Sequence, residues 1–205
     1  MFPNAARHES LTCVTNPYEA RLGGRLFLGS SGQPVDDIRK YVTAAPPTPK
    51  GDDDDAAAAA TAATDAAAAE REWDNGDKAT RRIGGLDGDA PAVLAQSVAA
   101  LGALEDTLAW RHAAPTCPDT LGCYPFYLAD PFIIEDCPDV YFAGNQPRFA
   151  TSVMEGADGQ RTRVVCVPSF AETGQAVLVD VATLECTVLS VSGTGAAAAA
   201  METDE

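Results

Sequence analysis

The sequence predicts an α+β fold on three observations. An apolar stripe at helical spacing runs through 91–111, a strand-turn-helix pattern occupies 25–42, and valine-rich runs of strand length follow Phe149. At 205 residues the chain can bury one sizeable core. The same patterns divide it into a structured segment at 1–43, an insert at 44–90, a second structured segment at 91–192 and a tail at 193–205.

Residues 1–20 carry no clear period. Arg25 to Leu28 alternates as a strand, and Gly29-Ser30-Ser31-Gly32 is the turn that ends it. That turn is a candidate phosphate cradle, but it lacks the lysine of a P-loop and the third glycine of a dinucleotide fingerprint, so a strand-to-helix turn is the favoured reading. Pro34 suits the first turn of a helix, with Val35, Ile38 and Val42 on one face. From Ala44 to Ala90 the chain changes to Pro46-Pro47, Asp52 to Asp55, alanine runs and glycines. Such composition cannot bury enough surface to offset ordering entropy, which predicts a disordered insert with transient helix around Ala56 to Glu72. Trp73 within it is either a short binding motif or an incidental residue.

Pro91 opens the strongest helix. Leu94, Val98, Leu101, Leu104 and Leu108 fall three and four apart and are expected to pack on a sheet, with Gln96, Glu105 and Asp106 toward solvent. Pro115, Pro118, Pro125 and Pro131 then forbid regular helix. They bracket an ordered loop carrying Tyr124, Phe126, Tyr127 and Phe132, which is either a plug for its own domain or an anchor for a partner. Ile133 and Ile134, then Val140 to Phe142, read as short buried strands. The runs 150–154, 161–167, 175–181 and 185–191 predict a closing antiparallel β-meander, followed by a frayed acidic tail.

Charge narrows the function. A net charge of −16 argues against a surface that tracks phosphates, so direct DNA binding is not expected. No run approaches the length of a membrane span, and no basic region precedes a hydrophobic core at the N-terminus, which predicts a soluble, non-secreted chain. None of the six cysteines sits in a Cys-x-x-Cys pair, so reduced, packed thiols are expected and neither disulfides nor a metal cluster. Two histidines are too few for a dimetal hydrolase site, and His112 suits the C-terminus of the long helix. The carboxylates abut prolines or helix starts, where capping explains them, and no nucleophile constellation is visible. No cofactor is expected.

Trp110 to Phe149 concentrates the aromatic, proline and cysteine residues. Within it lie Pro115 to Phe126 (PTCPDTLGCYPF), Asp130-Pro131-Phe132-Ile133, Cys137 to Phe142 (CPDVYF) and Gly144 to Phe149 (GNQPRF). Upstream lie Val14 to Ala20 (VTNPYEA) and Phe27 to Ile38 (FLGSSGQPVDDI). In this order the runs resemble the second, non-polymerising subunits of eukaryotic replicative DNA polymerases, those of polymerase delta most closely. The resemblance leaves out the insert and both extreme ends.

It implies the C-terminal half of a calcineurin-like phosphoesterase β-sandwich with flanking helices. Active relatives hold two metal ions there, partly through a Gly-His-x-His turn. The matching turn here is Gly144-Asn145-Gln146-Pro147, which puts Asn145 and Pro147 at degenerate ligand positions and implies an inactive domain. The counterpart of Met1-Phe2-Pro3 lies after an OB-fold and half the phosphoesterase domain, so the chain is expected to begin mid-domain, as a fragment, a truncated gene model or a partner for the missing half.

The implied role is a non-catalytic nuclear scaffold in replication and repair. In that role it would bridge the cysteine-rich C-terminal domain of the polymerase delta catalytic subunit to a third subunit, reaching the sliding clamp and DNA only indirectly. Tyr124, Phe126, Phe132, Tyr141 and Phe142 are the expected core or interface anchors, with Arg148 as a polar contact. The alternatives are an active metal-dependent phosphoesterase or 3'-to-5' exonuclease, as in archaeal relatives, and a free-standing acidic interaction protein acting through its insert and tail.

Overall fold

Two glycines with positive φ, Gly23 and Gly24, close a tight hairpin between strands β1 (Tyr18–Leu22) and β2 (Arg25–Ser30). The computed structural model that shows this describes residue 9 and residues 12–42, 81–84 and 90–191. After β2 come α1 (Gln33–Val42), β3 (Arg82–Gly84), α2 (Pro91–Ala109), β4 (Val140–Gln146), β5 (Phe149–Glu155), β6 (Arg161–Pro168), α3 (Phe170–Thr173), β7 (Gln175–Val179) and β8 (Cys186–Ser190). Six strands form one mixed sheet in the order β1-β2-β4-β6-β5-β3, with β2, β4 and β6 parallel and the other pairs antiparallel.

Alternation along the central strands gives the sheet two apolar faces. Leu28, Tyr141, Ala143, Val164 and Cys166 point to one side and pack with Val35 and Ile38 of α1 and Ala100, Leu101 and Leu104 of α2. Phe27, Val140, Phe142 and Val165 point to the other, where the β7–β8 hairpin covers them with Val177, Val179, Cys186 and Val188. The result is helices, sheet and hairpin in three layers.

Several expectations change. The final strands do not run as one meander: β6 pairs with β5 but lies parallel to β4, and β7 and β8 leave for a separate two-stranded sheet. The second apolar face needs a cover, and Gly174, left-handed at the end of α3, redirects the chain over it. Tyr18–Leu22 is a strand although no period marked it, because as an edge it leaves most of its side chains at least partly in solvent. Ile133 and Ile134 are not a strand; Ile133 makes an isolated bridge to His112 and is half exposed, while Ile134 is buried.

Helix α2 presents a different face from the one expected. Ser97, Ala100, Leu101, Ala103, Leu104, Glu105 and Thr107 are buried, whereas Leu94 and Val98 are exposed. The small residues let the helix lie close to the sheet, so they define the seam. Glu105, expected in solvent, accepts hydrogen bonds from Arg81 Nε at 3.2 Å, from Arg81 Nη2, and from Ser152 Oγ at 2.6 Å. By length and composition α2 could cross a membrane, contrary to the sequence reading; here it packs on β4, β5 and β6 with this ion pair on its buried face. Arg81 belongs to the 44–90 segment expected to lack structure, of which Arg82–Gly84 forms β3 at the edge of the sheet. Most of that segment, Trp73 included, lies outside the described residues.

Candidate partner-binding surface

The proline-bracketed loop is clamped at its base. Arg111, at φ 56°, turns the chain out of α2, and its guanidinium donates to the carbonyls of Ile134, at 3.1 Å, and Glu135. Ala113 N–H donates to Phe132 O at 2.8 Å and Ile134 N–H to Arg111 O at 2.9 Å. Residues 114–131 therefore form a closed excursion whose ends meet. His112 does not cap the helix as expected; its Nε2 lies 3.0 Å from Asp130 Oδ2. The Phe132 N–H first, and then the imidazole, hold the Asp130 carboxyl below its ordinary range.

A second tie fixes the loop to α1. Asp37 is buried, and Thr120 Oγ1 donates to it at 2.6 Å while Lys40 Nζ approaches at 2.9 Å. The hydroxyls of Thr116 and Thr120 and the ammonium of Lys40 lower the Asp37 carboxyl to about 2; the Thr116 hydroxyl sits beside the carboxylate outside good hydrogen-bonding geometry.

On this base stands a group of aromatic rings. Tyr124 meets Phe126 edge-on at 5.2 Å, and Phe126 meets Phe132 edge-on at 6.1 Å. Tyr124 is 70% exposed and Phe126 50%, and next to them Tyr127 and Leu128 are almost wholly in solvent. The rings border a groove of about 660 Å³ whose walls include Pro17, Leu28, Pro34, Cys117 and Leu121. Exposed apolar side chains clustered beside a groove are the usual mark of an interaction site.

The six residues singled out in sequence separate into three places. Tyr124, Phe126 and Phe132 come together at the groove. Tyr141 is core: Thr107 Oγ1 donates to Leu104 O at 2.8 Å, so the Tyr141 hydroxyl, 3.0 Å away, donates to Thr107. Burial pushes the Tyr141 phenol up. Phe142 faces the hairpin on the opposite side of the sheet, its ring lying over Gly29 so closely that a Cβ there would stand 2.5 Å from it. Arg148 lies in the β4–β5 turn and donates to Pro147 O at 2.8 Å. Leu128 was missed, although it follows Tyr127 inside the same proline-bracketed run.

The turn Gly144-Asn145-Gln146-Pro147 sits at the C-terminal end of β4. Gly32, at φ 100°, packs against it so tightly that a Cβ would lie 2.0 Å from Gly144 O. Asn145 is exposed, with φ 56°. Gln146 is fully buried; its Nε2 donates to Gly144 O at 2.9 Å and its Oε1 has no partner among the described residues. At this turn Asn145 offers a carboxamide oxygen and Pro147 no side-chain lone pair. Among the described residues no group of three His, Cys, Asp or Glu could hold a metal ion. All six thiols are free; burial pushes Cys166 to about 12, and burial with the neighbouring Cys123 pushes Cys117 to about 11, which keeps both protonated. Cys13 and Cys137 are exposed rather than packed.

A family model that describes the B-subunit of DNA polymerase alpha/epsilon matches residues 1–151. The chain is 38% identical over 192 residues to "DNA polymerase delta subunit 2" of Drosophila melanogaster and 34% identical over 192 residues to "DNA polymerase delta small subunit" of Arabidopsis thaliana. Each match covers 94% of this chain and 32% of the relative. The protein of the latter name from Saccharomyces cerevisiae is 32% identical over 188 residues, covering 92% of this chain and 32% of that relative. The chain thus spans about a third of the length of the curated relatives it matches.

Proposed function

The chain belongs to the B-subunit family of DNA polymerases alpha and epsilon, and from that premise we propose that it serves DNA replication in the nucleus as a non-catalytic part of the polymerase delta small subunit. Its fold is read as the C-terminal part of a phosphoesterase-like domain, built on 1–43 and 91–192 with β3 at its edge, that has lost hydrolytic chemistry and kept a rigid frame. The amide and proline at Asn145 and Pro147 support the loss. Its work is adhesion: holding the catalytic subunit's cysteine-rich C-terminal domain and bridging it to a third subunit.

One observation carries this reading. Tyr124, Phe126 and Phe132 stand as contacting rings beside an apolar groove, on a loop whose base is fixed by backbone hydrogen bonds and by the Thr120–Asp37 tie. Rigid aromatic anchors dominate interface energetics because they bury large area at small entropic cost. Burying Tyr124 and Phe126 against a partner contributes about 2 kcal/mol each.

The test is co-expression with the cysteine-rich C-terminal domain of the cognate polymerase delta catalytic subunit, followed by affinity capture and size exclusion. A stoichiometric complex that is lost on Tyr124→Ala/Phe126→Ala, with the far-ultraviolet spectrum unchanged, is the expected result. A complex that tolerates the double substitution moves the contact elsewhere and overturns the assignment of these anchors.

A further inference from the structure

At the end of the sheet opposite the Gly144–Pro147 turn, the apolar face that β7 and β8 cover gives way to charge. Along β6 the residues on that face read Arg161, Arg163, Val165 and Val167, and on β2 they read Arg25 and then Phe27. Arg25, Arg161 and Arg163 line one open cavity of about 520 Å³, together with Thr183 and Leu184 of the β7–β8 turn, and the Arg25 guanidinium is held there by Asp139 and by the Val181 and Ala182 carbonyls. We propose that this cavity is a binding site for a small multivalent oxyanion, phosphate or carboxylate in chemistry.

The counter-charges are too few to neutralise it. Asp139 is the only carboxylate in the lining among the described residues, and both its oxygens are engaged: Oδ1 by Arg25 Nη1 at 2.9 Å and Oδ2 by the Leu26 N–H at 2.8 Å. Arg161 pairs with Glu155 at 2.9 Å, but both side chains are about half exposed or more, where such a pair is weak and exchangeable. Arg163 donates from Nε to Leu184 O at 2.7 Å, a bond to a carbonyl that leaves its charge without a carboxylate among the described residues and fixes the fork in place. Thr183 Oγ1 accepts from the Glu185 N–H at 3.3 Å, and its hydroxyl helps hold the Asp180 carboxylate at the β7–β8 turn. Fixed guanidinium forks match the paired oxygens of phosphate and carboxylate groups.

The surroundings limit the ligand's size. A net charge of −16 repels a long polyanion at a distance, whereas a small anion feels mainly the guanidinium groups within a Debye length. The site is distinct from the aromatic groove and stands whether or not the chain acts within a polymerase.

The experiment is isothermal titration of the chain with sodium pyrophosphate and, separately, with citrate, at ionic strength matched by chloride. One saturable site for either anion, weakened roughly tenfold by Arg163→Gln, is expected. Pyrophosphate binding alone assigns the site to phosphate, and citrate binding alone assigns it to carboxylate. Arg161→Gln, at an exposed position that holds no core contact, is the second variant and should weaken the same site less. Heat that is non-saturable for both anions, or binding that neither substitution changes, overturns the proposal.

Discussion

Removing the Arg81 side chain should expose how the edge strand is held. Glu105 is only 10% accessible in its side chain, and among the described residues Arg81 and Ser152 supply the hydrogen bonds that compensate its charge. Breaking a fully buried pair from one side costs about 3–5 kcal/mol. Arg81 is 37% accessible, so solvent screens part of that interaction, and Ser152 still donates after the change. Arg81→Ala is therefore expected to cost about 2 kcal/mol, below the fully buried range. Arg81→Ala/Glu105→Leu removes the stranded carboxylate as well and should recover most of that loss. Urea denaturation measures both as shifts in midpoint at constant slope. Amide exchange adds a local readout, since Arg82–Gly84 pairs with Phe149, Ala150 and Thr151 and should exchange faster once its clip is cut. If Arg81→Ala changes stability by less than about 0.5 kcal/mol, or the double variant is no better than the single, the ion pair is not what joins β3 to α2.

Gly32→Ala forces a Cβ to 2.0 Å from a backbone oxygen at φ 100°, so it should cost at least about 3 kcal/mol, read as loss of soluble chain or a collapsed melting temperature. Asp37 has a folded pKa of about 2 against an ordinary 3.8, so the unfolded chain binds more protons between these values. Its contribution is complete above the unfolded value and lost as pH falls through the folded one; Asp37→Asn should flatten that part of an acid-denaturation curve. Tyr141→Phe removes a buried donor while Thr107 keeps its bond to Leu104, so the loss should be about 1 kcal/mol by denaturant midpoint, and a loss several times larger would refute the donor assignment.

Local patterns were legible where one strand or helix decides its own burial. Pro34, Val35 and Ile38 marked α1, and the valine runs marked β5 to β8. The rotation of α2 was hidden because Ala100, Ala103 and Ser97 carry weak hydrophobic signals yet occupy the seam, while Leu94 and Val98 look like core and are not. Glu105 was unreadable without Arg81, whose proximity is tertiary. Tyr141 and Phe142 could have been separated, since neighbours in a strand face opposite sides of a sheet. For Tyr124 and Phe126 the proline spacing marked an ordered loop but did not say which way the rings pointed. The arginines of the cavity escaped notice because Arg25, Arg161 and Arg163 converge only after β2 and β6 are placed on either side of β4.

The parallel pairing of β2 with β4 also sets a timetable. Leu26 and Asp139, joined by a hydrogen bond, are 113 residues apart, whereas β4, β5 and β6 follow one another closely in the chain. During synthesis at about 5–20 residues per second, the β1–β2 hairpin leaves the ribosome roughly 6–23 s before β4 exists. For that interval the side of β2 that pairs with β4 lacks that strand, and long-range parallel pairing is slow to form in any case. Yield therefore depends on keeping the open side of β2 from foreign edges until β4 arrives, which makes chaperone protection of the nascent β1–β2 hairpin a condition of it.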